Sequence, residues 1–297
     1  MDLGALRIFA AVAEEGSISK AARRLDYVQS NVTARIQHLE DDLRTPLFYR
    51  RQRGMVLTPA GRTLLGYAES LLHLAEEARR AVQDEGACCG SLALGAMETT
   101  AAVRLPPILA RFHQTLPDVE LSLVTGPSAE LIDHVLDYRI DGAFVGGAVQ
   151  HTEIERETLF VEELVLVTDQ EVTDPAQMAR RTMLVFRQGC SYRARLEQIL
   201  REYGLLPYKI LEFGTVEAML GCVAAGMGVT LFPHFVLARS PYRAVLRTHR
   251  LPAHLAQVPT MFIRRRDGLR TRAMTTFLEM ARRLGESTAV EFPGEPV

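Results

Sequence analysis

Apolar positions in the first third of the chain recur at helical spacing. Leu3, Leu6, Phe9, Ala10 and Ala13 predict a first helix, which Gly16-Ser17 ends. A second, short helix is expected through Leu25 with Ser19 as its N-cap. A third spans about Gln29 to Leu43, with Val32, Ile36, Leu39 and Leu43 along one face. The pattern then breaks. In TPLFYRRQRGMVLTPAG, Pro46, Gly54 and Pro59 punctuate two short strands, Leu47-Phe48 and Met55-Val56-Leu57. Thr58 suits a cap and Pro59 the first position of a long helix that runs to about Glu85, where Gly86 stops it. Its Leu64, Ala68, Leu71, Ala75, Ala78 and Val82 recur at alternating steps of four and three, an a/d seam. Such a seam must be buried. A second copy of the chain is the economical partner, and packing against the chain's own body is the alternative.

From Gly90 the period switches. Leu92 and Leu94 alternate as in a strand, while Leu105, Ile108, Leu109 and Phe112 step as a helix. Val119, Leu121 and Leu123 mark another strand, and Leu131, Ile132, Val135 and Leu136 another helix. DGAFVGG, GVTLFP and VPTMFIRR read as strands, and further helices are marked by Leu196 to Tyr203, Val216 to Val223 and Met274 to Leu284. Strands alternating with helices imply βαβ units and a mainly parallel sheet, an α/β architecture behind a helical head. A length of 297 residues agrees with more than one domain.

Charge sharpens this division. Overall, 34 basic residues stand against 36 acidic ones, a net charge of −2 that points to no polyanionic partner. All the basic residues except Lys20 and Lys209 are Arg, which a GC-rich coding bias explains. Residues 1–65, however, hold ten basic and seven acidic side chains, so a basic head sits on an acidic remainder. With 47% hydrophobic residues, the chain is neither disordered nor a small disulfide scaffold. No apolar stretch approaches the ~18 residues of a membrane span. Asp2, Arg7 and Glu14-Glu15 spoil the N-terminus as a secretory signal. The cytoplasm is therefore expected, with Cys88, Cys89, Cys190 and Cys222 reduced.

Two short helices followed by an Arg-rich hairpin form the pattern of a winged helix-turn-helix, whose second helix can enter the major groove of double-stranded DNA. Gln29, Ser30, Asn31, Thr33 and Arg35 are the candidate base readers. Gln and Asn can bond bidentately to adenine, and Arg to guanine. Arg50, Arg51 and Arg53 of the hairpin suit phosphates or the minor groove, and Thr58 at the hairpin's end is counted with them.

These residues also carry a family resemblance. The run FAAVAEEGSISKAARRLDYVQSNVTARIQHLEDDLRTPLFYRRQRGMVLTPAGRTLL resembles the N-terminal domain of LysR-type transcriptional regulators at nearly every position from Leu6 to Leu65. The match includes Gly16-Ser17, Ala21-Ala22, Leu25, Gln29, Val32, Leu39-Glu40, Leu47-Phe48, Arg50, Leu57-Thr58 and Ala60-Gly61. One departure is that Val28 stands where the family commonly has a capping Ser, so Asp26 or Ser30 is expected to cap and to shift the helix start by a residue or two.

The resemblance implies three parts: a DNA-binding domain over 1–58, a linker and dimerisation helix over 59–88, and an effector domain over 89–297. The last is two-lobed, like a type II periplasmic binding protein, with one lobe at about 91–163 plus 266–290 and the other at 164–265. It also implies a homodimer, assembled into a tetramer, that acts near RNA polymerase and takes a small effector between the lobes, with no resident cofactor. By position it nominates Thr99, Thr100, Ser128, Val145 and Gly146 from one lobe for the effector site. From the other it nominates Ser191, Tyr192, Arg193, Thr230 and Phe232.

Other chemistries fit the residues less well. GCSYR has Arg193 where a nucleophile elbow needs Gly. Gly226-Met-Gly228 precedes a strand instead of opening a helix. The cysteines lack zinc spacing. No enzyme is expected. Two alternatives stay open: a redox-sensing regulator of the same fold using Cys190, between Arg187 and Arg193, and a cytoplasmic small-molecule binding protein without a DNA role.

Overall fold

A computed structural model describes residues 1–51, 54–83, 90–171, 181–204, 209–238 and 240–288. Two compact units result, Met1–Glu85 with Asp137–Arg139, and Gly86–Leu136 with Ile140–Val297.

The first unit opens with α1 (Leu3–Glu15), α2 (Ile18–Arg24) and α3 (Gln29–Asp42). Asp2 caps α1 by accepting from the Ala5 N–H at 2.8 Å, and Gly16 ends it in the left-handed region at φ 58°. The cap of α2 is Ser17, not the expected Ser19: Ser17 is extended and its hydroxyl accepts from Lys20 N–H, while Ser19 lies within the first turn. α3 starts at Gln29, with Val28 at the cap position and no side-chain cap bond, so neither Asp26 nor Ser30 shifts the start. Strands β1 (Phe48–Arg51) and β2 (Gly54–Leu57) pair antiparallel as a wing. Gly54 brings the wing against the α1–α2 turn: Met55 N–H donates to Gly16 O at 2.8 Å. A Cβ on Gly54 would stand 2.5 Å from that oxygen. Leu6, Phe9, Val12, Val32, Ile36, Leu39 and Phe48 form the core, and the rings of Phe9 and Phe48 meet at 5.3 Å. The long helix α4 (Pro59–Gln83) follows.

The second unit holds two lobes. In the first, β3 (Gly90–Ala96) lies parallel to β4 (Val119–Thr125) and to β5 (Gly142–Gly146). β11 (Gln257–Arg265) then adds antiparallel to β5, and β6 (Ile154–Asp169) antiparallel to β11. A π-helical turn (Thr100–Arg104), α5 (Leu105–Thr115), α6 (Ser128–Leu136) and α11 (Arg272–Thr288) cover this sheet. The last third of β6 enters the second lobe, where it pairs antiparallel with β9 (Thr230–Pro233) and β10 (Leu246–Arg250). There β7 (Thr182–Phe186) lies parallel to β8 (Lys209–Phe213) and joins β9 through Val229. α7 (Ser191–Glu202), α8 (Val216–Ala224), α9 (His234–Ala238) and α10 (Ala253–Ala256) complete this lobe.

Two expectations change. The sheets are mixed instead of mainly parallel, because the strands that cross between lobes return antiparallel. The second crossing also comes near Gln257 and not at 265, since all of β11 pairs within the first lobe and its Phe262 and Ile263 fill that lobe's core.

Candidate functional site

α3 is anchored on one side and free on the other. Val32, Ile36 and Leu39 are buried, while Gln29, Ser30, Asn31 and Arg35 are exposed and Thr33 is half-buried. Local bonds already hold part of this face. The Ser19 hydroxyl donates to Gln29 Oε1 at 3.0 Å, and Thr33 Oγ1 donates to Gln29 O at 2.9 Å. Arg35 lies 3.8 Å from Asp2 and Arg50 3.4 Å from Glu40, both exposed guanidiniums in pairs of little energetic weight. Glu40 Oε1 accepts from Leu47 N–H and Phe48 N–H, so one carboxylate of α3 sets the wing's first strand. Arg53 lies outside the described residues, as does the Arg51 side chain.

Thr58 corrects its expected role. It is buried, its hydroxyl accepts from Gly61 N–H and donates to Pro46 O, and so it caps α4 instead of facing DNA. Tyr27 and Val28 lie exposed at the head of α3, beside its polar face, a setting in which apolar groups can meet a thymine methyl.

The expected dimerisation seam divides. Ala68 is fully buried and Leu64 packs with it in the first unit's own core, which corrects their expected place in a dimer seam: both are spent inside the chain. Farther along α4, Leu71 and Ala78 are exposed and Ala75 half-buried, with Tyr67 and Leu74 exposed beside them. The Val82 side chain lies outside the description.

In the second unit the carboxyl ends of parallel strands from both lobes converge, the place where α/β sheets bind ligands. A cavity of about 80 Å³ opens there. Met97, Glu98 and Thr99 follow β3, and Thr125, Gly126 and Pro127 end β4 and lead to α6. Across from them stand Phe186, Arg187, Cys190, Tyr192, Phe213 and Gly214 of the second lobe. Tyr192 and Thr99 are buried, and the Tyr192 hydroxyl sits opposite those of Thr99 and Thr260, yet none of the three has a partner in hydrogen-bond geometry. Burial holds the Tyr192 phenol far above its ordinary ionisation range, with nearby Glu162 adding to the effect. It likewise pushes up the Cys190 thiol, although the Tyr192 and Arg193 N–H groups oppose the shift.

Of the ten residues nominated for this site, Thr99 and Tyr192 line the cavity. The others serve around it. Ser128 Oγ accepts from Gly146 N–H at 3.1 Å, and Gly146 leaves room for Ser191 and Met97, which a Cβ would strike. Thr100 is buried in the π-helical turn. Val145 and Phe232 are core residues, and the Thr230 hydroxyl donates to Leu184 O. Arg193 is turned to Glu197 and Glu212, at 3.0 and 2.5 Å, and is no longer available for a ligand carboxylate. The lining residues that were missed lie on strand-to-helix connections, which carry no periodic signal. Cys88 and Cys89 lie outside the described residues. Among the described residues no three His, Cys, Asp or Glu gather as a metal site. No helix among them is long and apolar enough to cross a membrane.

Comparison with known proteins accounts for both halves. Residues 3–62 match the family model of the bacterial regulatory helix-turn-helix protein, lysR family, and residues 86–286 that of the LysR substrate binding domain. The HTH-type transcriptional regulator GltR of Bacillus subtilis (strain 168) is 48% identical over 281 residues, covering 94% of this chain and 95% of the relative. The HTH-type transcriptional regulator SoxR of Arthrobacter sp. (strain TE1826) is 42% identical over 287 residues, 97% and 99% of the two chains. Among solved structures, full-length CbnR complexed with its target DNA has a TM-score of 0.67 at 26% identity, over 96% of this chain and 100% of that one.

Proposed function

Because the chain belongs to the LysR family of bacterial regulatory helix-turn-helix proteins, we propose that it reads its operator with α3 and the wing and is switched by a small molecule held between the two lobes of its C-terminal unit. It is a DNA-binding transcriptional regulator. The observation that carries the reading of its head is the face of α3, whose Gln29, Ser30, Asn31 and Arg35 are exposed while Val32, Ile36 and Leu39 fix the helix from below. Arg50 and the Arg-rich wing supply backbone contacts beside it. The exposed apolar stretch of α4 supports a homodimer, and two dimers joined as a tetramer would place four heads on one promoter, within reach of RNA polymerase. The cell's cytoplasm is where such a protein acts.

Among the described residues no constellation of nucleophile, base and oxyanion donors gives support to an enzymatic role. The redox reading is disfavoured by Cys190 itself. A sensor thiol needs an exposed, thiolate-promoting setting, and this one is buried with its ionisation raised.

Titration of the purified protein onto its own upstream intergenic DNA, against random DNA and at several salt concentrations, tests this reading. Specific binding with a steep salt slope is expected. Gln29→Ala should relax discrimination at one base pair by ~1–3 kcal/mol. Arg50→Ala should weaken all sequences alike and lower the salt slope by about one. Equal affinity for every DNA at every salt concentration would sink the operator claim.

A further inference from the structure

Two opposite charges face the inter-lobe cavity. Glu98, half-buried, comes from the first lobe, beyond Met97 at the end of β3; Arg187, exposed, comes from the second, directly after β7. Neither forms an ion pair with another described residue. This sets Arg187 apart from its neighbour Arg193, which two carboxylates hold. Beside the charges lie the buried hydroxyls of Thr99 and Tyr192, both without partners. An unpaired buried hydroxyl is unfavourable, so a polar group that enters to meet it is favoured over an apolar one.

Size narrows the occupant. The cavity offers about 80 Å³, and at about 10–15 Å³ per water-sized group it admits roughly half a dozen non-hydrogen atoms. Charge narrows it further. A lone anion would satisfy Arg187 and leave Glu98 facing it, and a lone cation would do the reverse; either arrangement brings a like charge against a partly desolvated group. We propose that the cavity takes a small zwitterion of the α-amino-acid class, its ammonium on Glu98 and its carboxylate on Arg187, so that one ligand ties the two lobes together. Phe186 and Phe213 leave an apolar wall for a short side chain. This inference rests on reading the cavity as the effector site.

Calorimetric titration and thermal shift on the full chain, with L-alanine, propionate and ethylamine as probes, test it. Propionate and ethylamine each remove one of alanine's two charges. L-alanine should bind, the other two should bind at least tenfold more weakly, and Glu98→Gln and Arg187→Gln should each reduce alanine affinity roughly tenfold or more. Both positions lie outside the hydrophobic cores, so the variants should melt as the parent does. Propionate binding as tightly as alanine, or alanine binding unaffected by Glu98→Gln, would overturn the zwitterion. So would the failure of all three probes. A Gly214→Phe variant separates that failure from failure of the cavity itself. Gly214 lines the cavity and a Cβ there meets nothing within 4 Å, so a side chain can leave the backbone freely and its ring is expected to fill the space; an unchanged melting temperature of the ligand-free variant checks that it does so without strain. If small molecules of another class raise the melting temperature and Gly214→Phe abolishes the rise, the effector site stands and only the zwitterion falls. If no small molecule shifts melting at all, both readings fall.

Discussion

Tyr192 concentrates the conflict between stability and binding in one side chain. Its ring packs in the second lobe's core and its hydroxyl is buried without a partner. Leaving such a group unsatisfied costs about 1–3 kcal/mol. Tyr192→Phe should therefore raise the melting temperature of the ligand-free protein by a few degrees, given about 2–4 °C per kcal/mol for a unit of this size. The same change bears on pH. The folded state holds the phenol's ionisation above its unfolded value, so its contribution is intact below about pH 10, the ordinary phenol range, and is lost as pH climbs towards the higher folded value. The phenylalanine variant should lose less stability than the parent between about pH 9 and 11. Thermal melts across that range check both points. A several-degree loss at neutral pH would mean that bound water already satisfies the hydroxyl, and the argument for a waiting polar contact would fail with it.

At the level of elements, α4 is the helix whose partner matters most. Its first three turns lie against α1, burying Ala68 and part of Leu64, whereas Leu71 and Leu74 are each more than two-fifths exposed. Apolar side chains repeating along one helix at this exposure call for a second helix. Leu71→Glu combined with Leu74→Glu should turn the proposed dimer into monomer in sedimentation at micromolar concentration, with little change in melting because neither residue is in the first unit's buried core. A dimer that persists would place the interface elsewhere. The helix also shows what a sequence pattern can and cannot resolve. Alternating steps of four and three marked the apolar face from Leu64 to Ala78, but a period is the same whether the face meets the chain's own α1 or a second copy. α3 was more legible, because Val32, Ile36 and Leu39 have only one core to enter and the polar face is what remains. The effector lobes were least so. Val145 and Phe232 belong to strands buried on both faces, where apolar runs carry no alternation to tell core from cavity. The charges that face the cavity, Glu98 and Arg187, follow strand ends whose meeting depends on the crossings of β6 and β11. That is a long-range result of folding which no local window contains.

At the scale of the whole effector unit, one ion pair sits at the joint. Arg104, at the end of the π-helical turn, bonds Glu162 with two nitrogens at 2.8 and 3.2 Å. Glu162 lies in β6 just before that strand leaves the first lobe. The same guanidinium stacks on Phe160 of the first lobe and, at 4.0 Å, on Phe235 of the second. Glu162 is almost wholly buried, and burial raises its ionisation more than Arg104 lowers it. An effector can shift the lobes only by its differential affinity for two arrangements, so the stiffness of this joint bounds the response. Arg104→Met removes one partner and leaves a buried carboxylate, a change that costs about 3–5 kcal/mol in comparable sites. The penalty should depend on pH with a definite sign. Without Arg104, Glu162 ionises at still higher pH in the folded state. The variant's deficit is then greatest where the folded carboxylate is charged, and shrinks as acidification protonates it in the fold. Urea unfolding of parent and variant at pH 7 and pH 5.5 should show the gap narrowing. A gap that stays constant would mean that Arg104 acts through its stacking on Phe160 and Phe235, with the charge on Glu162 playing no part.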